Sequence, residues 1–357
     1  MNKKPRFSQL IWLVIIVIPV LVFSACTGES TIGWSGPAAS ETMVYVGSQE
    51  GRVLAFDTAS GARKWQFPAD SNQKIGQVYS SPTVVGDAVY VGSYDNKLYA
   101  LDAATGQQRW SFATGGPIVG GVAVTLDTLY VGSSDRKVYA LNLADGTKKW
   151  DFSTGNKVWS APAVTEDTVY VTSLDHSLYA LDPATGDLKW EFEAQGALPG
   201  SPVVAGGKVL TGSFDRHFYA IDASTGQEVW RFEGQNGFWS RPLVMTDTVY
   251  VGGLDHNLYA LDLASGRELW QYPAGDLIRS DPVAANGAIV VASQKGGMSW
   301  VDARSGTKIG DVRRLEGPVL ASPAVQSGTL FIVTQDKRLY AFDSRTSSGA
   351  QKWVVQI

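Results

Sequence analysis

The chain has 357 residues, of which 44% are hydrophobic and 18% are charged, and its formal net charge is −4 at pH 7. This weakly acidic balance argues against nucleic acid as the main partner, because neutralising phosphates requires a basic face. The sequence has no run of like charges and no low-complexity tract.

The first 26 residues have the pattern of an export signal. Lys3, Lys4 and Arg6 precede an apolar run at 10–23, which is short for a membrane span and typical of a signal peptide. Ser24 and Ala25 then stand directly before Cys26, the one cysteine of the chain. Small residues before a cysteine resemble the lipobox of bacterial lipoproteins, which implies cleavage before Cys26 and acylation of its sulfur. We therefore predict a signal peptide at 1–25 and a lipid anchor on Cys26.

Two other readings of this segment remain open, a plain secretory signal cleaved nearby and an uncleaved anchor. All three place the rest of the chain outside the cytoplasm. Loss of the three basic residues with the signal peptide would take the net charge from −4 to −7. Residues 26–33 form a short tether with a reach of at most about 25 Å, so we expect the following domain to stay near a membrane surface. In a cell with two membranes, Thr27 after the cysteine favours the outer membrane, facing the periplasm. With one membrane, the outer face of the plasma membrane is expected.

Residues 34–357 repeat one pattern eight times with a period of about 40 residues, which is typical of propeller blades. The pattern ends in an aspartate-led turn with a glycine, followed by a tryptophan. The glycine is present in all eight copies, and the leading residue is aspartate in seven and Asn142 in one. The tryptophan recurs in seven copies and is replaced by Gly310 in the seventh: Trp65, Trp110, Trp150, Trp190, Trp230, Trp270 and Trp353.

Each copy contains four short segments rich in Val, Tyr and Leu, which predict four β-strands. The middle segments are almost wholly apolar, as in sheets covered on both faces. No helical period follows residue 25. The sequence therefore predicts an all-β fold, one domain at 34–357 that is an eight-bladed β-propeller of four-stranded antiparallel blades.

The aspartate, glycine and tryptophan pattern resembles the tryptophan-docking motif of propellers with pyrroloquinoline-quinone-like repeats. The resemblance implies that each tryptophan lies between neighbouring blades, a structural role that suits a large apolar ring with one N–H donor. The seam after the seventh blade should then be the weakest. No strand is left over to latch the ring, so closure is expected from side-to-side packing of blades one and eight, unless residues 28–33 add an edge strand.

The positions that vary among the copies indicate a candidate site. Residues that enter the innermost strands should crowd one mouth of the central channel, where aromatic side chains meet two arginines and an acid. This combination is typical of binding hot spots. The alternative is a structural plug in which Arg241 pairs with Asp281. The candidate partner or ligand mouth comprises Trp34, Tyr79, Trp159, Trp239, Arg241, Arg279 and Asp281. On the same face, the loop at 68–80 is five residues longer than its counterparts.

Catalytic patterns are weak. The repeats resemble those of quinone-dependent dehydrogenases, but those enzymes are longer, and the cysteine pair and calcium ligands of many of them have no counterpart here. His176, His217 and His256 fall on turns between the second and third strands, where a zinc triad is conceivable. The same turn position also holds asparagine, arginine and lysine, so we interpret the histidines as surface residues. We predict no catalytic residue, metal or cofactor, and no enzyme activity.

An anchored eight-bladed propeller with one cysteine resembles the family of propeller lipoproteins of the outer-membrane β-barrel assembly machinery. That resemblance implies a non-enzymatic extracytoplasmic scaffold for protein partners, monomeric within a larger complex, with a role in outer-membrane protein assembly. Two other classes remain as hypotheses. One is a propeller that binds or senses a small ligand in the aromatic mouth, and the other is a quinone-dependent dehydrogenase.

Overall fold

The computed structural model describes residues 35–346 and 349–357, in which 32 β-strands and no helix occur. The strands form eight antiparallel sheets of four consecutive strands each. This confirms the predicted all-β, eight-bladed propeller. Nothing in the described part of the chain is a helix long and apolar enough to cross a membrane. The predicted signal peptide, Cys26, the tether and Trp34 lie outside the described residues.

The strands of blades 1 to 4 are β1 Ala38–Ala39, β2 Met43–Ser48, β3 Arg52–Asp57, β4 Arg63–Phe67; β5 Thr83–Val85, β6 Ala88–Gly92, β7 Lys97–Asp102, β8 Gln108–Ala113; β9 Val122–Val124, β10 Thr128–Ser133, β11 Lys137–Asn142, β12 Lys148–Ser153; β13 Ala163–Val164, β14 Val169–Thr172, β15 Ser177–Leu181, β16 Leu188–Glu193. Those of blades 5 to 8 are β17 Val203–Ala205, β18 Lys208–Gly212, β19 His217–Asp222, β20 Glu228–Glu233; β21 Leu243–Met245, β22 Thr248–Gly252, β23 Asn257–Asp262, β24 Glu268–Pro273; β25 Val283–Ala285, β26 Ala288–Ala292, β27 Gly297–Asp302, β28 Lys308–Arg314; β29 Ala324–Gln326, β30 Thr329–Thr334, β31 Arg338–Asp343, β32 Gln351–Gln356.

The core lies between the blades. The two middle strands of each sheet are buried, and their side chains pack against the sheet of the next blade. Tyr90 and Trp110 of blade 2, for example, share one cluster with Leu129 and Tyr139 of blade 3. Each fully buried side chain of this size contributes about 1.5–3 kcal/mol. The apolar middle strands noted in the sequence are therefore explained by burial on both faces.

The propeller has two faces, which differ in the connections they carry. The front face, where the innermost strands begin, carries the loops between blades and the turns between second and third strands. The back face carries the turns between first and second strands and between third and fourth strands, since the strands of each sheet are antiparallel.

The back-face turn before each outer strand explains the repeated aspartate and glycine. In blade 2, Asp102 accepts the N–H groups of Ala104 and Thr105 at 3.1 and 2.9 Å. Gly106 has φ 74°, and a Cβ atom there would lie 2.5 Å from the ring of Trp65. The glycine is thus required both by the turn and by the tryptophan of the preceding blade.

Blades 8 and 1 close the ring by side-to-side packing. Strand β1 lies against both β5 and β29. Val46 and Phe56 of blade 1 share a buried cluster with Phe331 and Leu339 of blade 8. No described strand is exchanged between the two sheets. Residues 28–33, the other closure considered from the sequence, lie outside the described part.

Candidate binding site at the channel mouth

The seven repeat tryptophans lie at the seams between blades. Trp230 is typical, since its Nε1 donates to the carbonyl of Leu263 in the next blade at 3.1 Å and its ring covers Gly266. The others make the same bond over 3.0–3.3 Å: Trp65 to Ala103, Trp110 to Leu143, Trp150 to Pro183, Trp190 to Ala223, Trp270 to Ala303 and Trp353 to Thr58. Their contacts are those of blade docking.

Blade 7, which has Gly310 at the tryptophan position, fills its seam with another indole. Trp300 stands on β27, where all seven other blades have alanine, and only 2% of it is exposed. It covers Gly349 of blade 8, as the repeat tryptophans cover their glycines. Its Nε1 has no hydrogen-bond acceptor among the described residues. The seventh seam therefore retains the apolar packing but lacks the bond between blades.

An aromatic cluster, defined as Trp159, Phe214 and Trp239, lies at the channel mouth on the front face. The ring centroids of Trp159 and Trp239, two blades apart, are 6.4 Å from each other, and Phe214 lies 5.5 Å from Trp239. The tryptophans are half-buried, and Phe214 is 40% exposed.

Two cationic side chains lie over rings of this cluster. The guanidinium of Arg279 lies 5.5 Å from the ring of Trp239, and the ammonium of Lys157 lies 5.8 Å from that of Trp159. At these distances the ring quadrupole attracts the cation. The cluster thus joins an accessible apolar surface to positive charge.

Phe214 was not predicted from the sequence as a mouth residue, although its position in the repeat contains a signal for it. It occupies the turn position between the second and third strands, which holds Leu174 in blade 4 and Leu254 in blade 6. The same position is glutamine in blades 7, 8 and 1. One side of the front face is therefore apolar and the other polar, a contrast that appears when the turns are aligned as well as the strands.

Tyr79, another predicted mouth residue, lies apart from this cluster. Its ring packs edge-on against Tyr94 at 4.8 Å, and only 4% of it is exposed. It belongs to the interior of the wall at blade 2. The long loop at 68–80 that precedes it exposes residues 69–74 on the front face.

Arg241 and Asp281 line the channel, but they meet through the main chain. The backbone N–H of Arg241 donates to Asp281 Oδ1 at 2.7 Å. No ion pair joins the Arg241 guanidinium to any residue within 35–346 and 349–357, and its side chain is exposed to the channel. Burial raises the pKa of Asp281, partly offset by the N–H donated from Arg241.

The three histidines lie on the front face without converging on a metal site. His176 and His256 are exposed and have positive φ in their turns, and His217 is the first residue of β19. Its Nδ1 lies 3.2 Å from Asp215 Oδ1. Across the described residues no group of three or more His, Cys, Asp or Glu side chains is arranged to hold a metal ion.

The repeat geometry defines the class of protein, a propeller with pyrroloquinoline-quinone-like repeats. The sequence model of the family described as "Beta-alanine-activating enzyme, beta-propeller" matches residues 31–248. This is more than half of the chain, so the chain belongs to that family of β-propellers. The model described as "Outer membrane protein assembly factor BamB" matches residues 278–356.

Solved structures agree with this assignment. The crystal structure of BamB from Moraxella catarrhalis matches with a TM-score of 0.70 at 20% identity, covering 87% of this chain and 91% of that one. The computationally designed Ika8 protein matches with a TM-score of 0.74 at 16% identity, covering 92% and 97%. At these identities the likeness shows the fold. A search of curated proteins finds no match. The chain is thus a BamB-like repeat propeller, as the sequence pattern indicated.

Proposed function

We propose that this chain is a non-enzymatic scaffold that docks protein partners on its front face. The observation that carries the proposal is the aromatic cluster, in which two half-buried tryptophans and an exposed phenylalanine pack at tilted angles beside Arg279. Tryptophan, tyrosine and arginine dominate the residues whose loss weakens protein interfaces most. Rings held in place by packing also lose little side-chain entropy when a partner binds.

The charges around the cluster favour a partner segment that combines an apolar side chain with acidic residues. The nearby turn aspartates are engaged within the fold, since Asp175 and Asp215 each accept a backbone N–H from the loop that enters their own blade. Lys157 and Arg279 carry the positive charge beside the tryptophans. Opposite charges across an interface raise the association rate and fix the register.

We further propose that the scaffold acts outside the cytoplasm, held at a membrane by lipidated Cys26, as one subunit of a larger complex. Support comes from the predicted signal and from the match of residues 278–356 to the outer membrane assembly factor model. In a cell with an outer membrane, this supports a role in the assembly of outer-membrane proteins. Cys26→Ser should abolish incorporation of labelled palmitate and release the protein from membranes. Retention of the label would contradict the anchor.

In-cell photo-crosslinking tests the docking surface. A benzophenone amino acid in place of Phe214 should capture specific proteins, whereas the same probe in place of Leu126, fully exposed on the back face, should not. Recovery of barrel-assembly subunits would support the assembly role. Equal capture from both positions, or none from position 214, would contradict docking at the cluster.

Substitution gives a second test. Trp239→Ala should lower partner affinity by about tenfold or more, as expected for a hot-spot residue. The matched control is Leu126→Ala, which should leave binding unchanged. A large fall in the melting temperature of Trp239→Ala, with partner affinity intact, would instead identify the cluster as a plug.

A further inference from the structure

The central channel contains two open cavities of about 340 and 620 Å³ between the innermost strands. The first lies among blades 3 to 6 and the second among blades 5 to 8. Valine, alanine and proline dominate both linings. Val203, Val204 and Arg241 belong to both, so Arg241 stands where the two cavities meet.

The guanidinium of Arg241 has an unusual electrostatic environment. It forms no hydrogen bond or ion pair with any described residue. Asp281, which lines the same cavity, accepts the main-chain N–H of Arg241 through Oδ1. At the corresponding position, blades 2, 5 and 8 have serines that can accept the equivalent N–H: Ser81 accepts from Gly36, Ser201 from Ala161 and Ser322 from Asp281. Asp281 therefore serves the same main-chain contact, and its carboxylate makes no ion pair with the guanidinium of Arg241.

A cation that makes no hydrogen bond or ion pair within the described part of the fold favours an anion from solution. The protein walls have a lower dielectric constant than water, so the charge interacts more strongly with an anion held between them than with one in bulk solution. An arginine also presents a planar pair of donors that matches a carboxylate. The carboxyl group of Asp281 would repel a second negative charge, which favours a monoanion.

We propose that the channel binds a small monocarboxylate with an apolar body, the carboxylate on Arg241 and the body along Val204 and Val244. The cavity volumes lie in the range of small-ligand sites, and valine side chains beside Arg241 offer an apolar surface to the body of the ligand. This site is separate from the proposed docking surface, since none of Trp159, Phe214 and Trp239 lines either cavity.

Calorimetric titration of the full-length protein with 4-phenylbutyrate tests this proposal. We expect saturable binding in the wild type and an affinity at least about tenfold lower in Arg241→Met, because a charge-assisted hydrogen bond is lost. Arg63→Met, on the outer strand of blade 1, is the matched control and should bind as the wild type does. The melting temperature of Arg241→Met should be unchanged, since the side chain has no partner in the fold.

Two further ligands test whether binding depends on the negative charge and on the apolar body of the carboxylate. The uncharged 4-phenylbutyramide should bind much more weakly than the carboxylate, and inorganic phosphate should not compete. Equal binding by wild type and Arg241→Met, equal binding of the amide, or competition by phosphate would each overturn the proposal. Photo-crosslinking at position 214 reports on protein docking alone, so failure of the channel site and failure of the scaffold would be distinguishable.

Discussion

At the scale of single residues, the buried indoles separate packing from hydrogen bonding. Trp230 and Trp300 both cover a glycine of the next blade, at 7% and 2% exposure. Only Trp230 also donates to a carbonyl in that blade. The hydrogen bond is therefore the main difference between two otherwise similar contacts.

This difference predicts unequal effects of the same substitution. Trp230→Phe removes apolar area and leaves the Leu263 carbonyl without its donor, whereas Trp300→Phe removes similar area and a donor that has no acceptor. We expect Trp230→Phe to lower the free energy of unfolding by about 1 kcal/mol more than Trp300→Phe does. Urea denaturation of the two variants measures this. An equal loss would mean that the seams depend on packing alone.

At the scale of the blade, the carboxylate that holds the front-face turn of blade 7 comes from a different segment than in blades 3 to 6. In blades 3 to 6, an aspartate of the turn between second and third strands accepts an N–H from the incoming loop, as Asp135 does from Gly115. In blade 7 the turn has Lys295 at that position, and the carboxylate comes from the loop instead. Asp276 Oδ2 accepts the Lys295 N–H at 2.9 Å, and its Oδ1 lies 3.5 Å from the ammonium.

Asp276 should therefore hold the front-face turn of blade 7. Asp276→Ala should accelerate hydrogen exchange at the Lys295 amide and lower the free energy of unfolding by about 1–2 kcal/mol, because a buried acceptor is lost. Asp311→Ala, at an exposed position of the same blade, serves as the control and should change neither. Unaltered exchange at residue 295 in the Asp276 variant would show that the turn is held by other contacts.

Blade 7 also shows which features of the fold could not be predicted from the repeat pattern. Eight copies in register predicted the blade count, the strands within a few residues, and the tryptophans at the seams. Gly310 alone suggested a missing contact, because the compensating Trp300 lies on the neighbouring strand and falls outside the motif. Of the aromatic cluster, the two tryptophans were predicted from the sequence and the phenylalanine was not. Trp159 and Trp239 stand at aligned positions before the inner strands, but Phe214 comes from a different turn, and only the three-dimensional arrangement brings it to them.

At the scale of the whole molecule, the back-face turns couple stability to pH. The turn aspartates of seven blades have pKa values below the ordinary 3.8, with those of Asp57, Asp102 and Asp222 at about 2. The other four are Asp182, Asp262, Asp302 and Asp343. The main cause is a guanidinium donor for Asp102 and Asp343 (Arg109 and Arg345), and backbone N–H and hydroxyl donors for the others. A folded pKa below the unfolded one gives stability that is present above the unfolded pKa and lost as pH falls through the folded pKa.

We therefore expect the urea midpoint to be lower at about pH 2.5 than at about pH 5, with most of the fall between about pH 4 and pH 2. Asp281 acts in the opposite sense, since its raised pKa makes its contribution grow as pH falls, but it is one group against seven. Asp222→Asn should make the fall shallower. A midpoint that does not change below pH 4 would contradict a role for these carboxylates in stability.

The closure of the ring has a consequence for how such a chain can change. Because each blade is built from contiguous residues and the seam between blades 8 and 1 uses the same tryptophan, glycine and carbonyl contacts as most other seams, no blade is marked by its packing as first or last. The seam at which the first and last blades meet is therefore equivalent in its contacts to most of the other seams. Gene duplication can therefore add or move a unit of about 40 residues without inventing a new contact, and the order of the blades is free to drift around the ring.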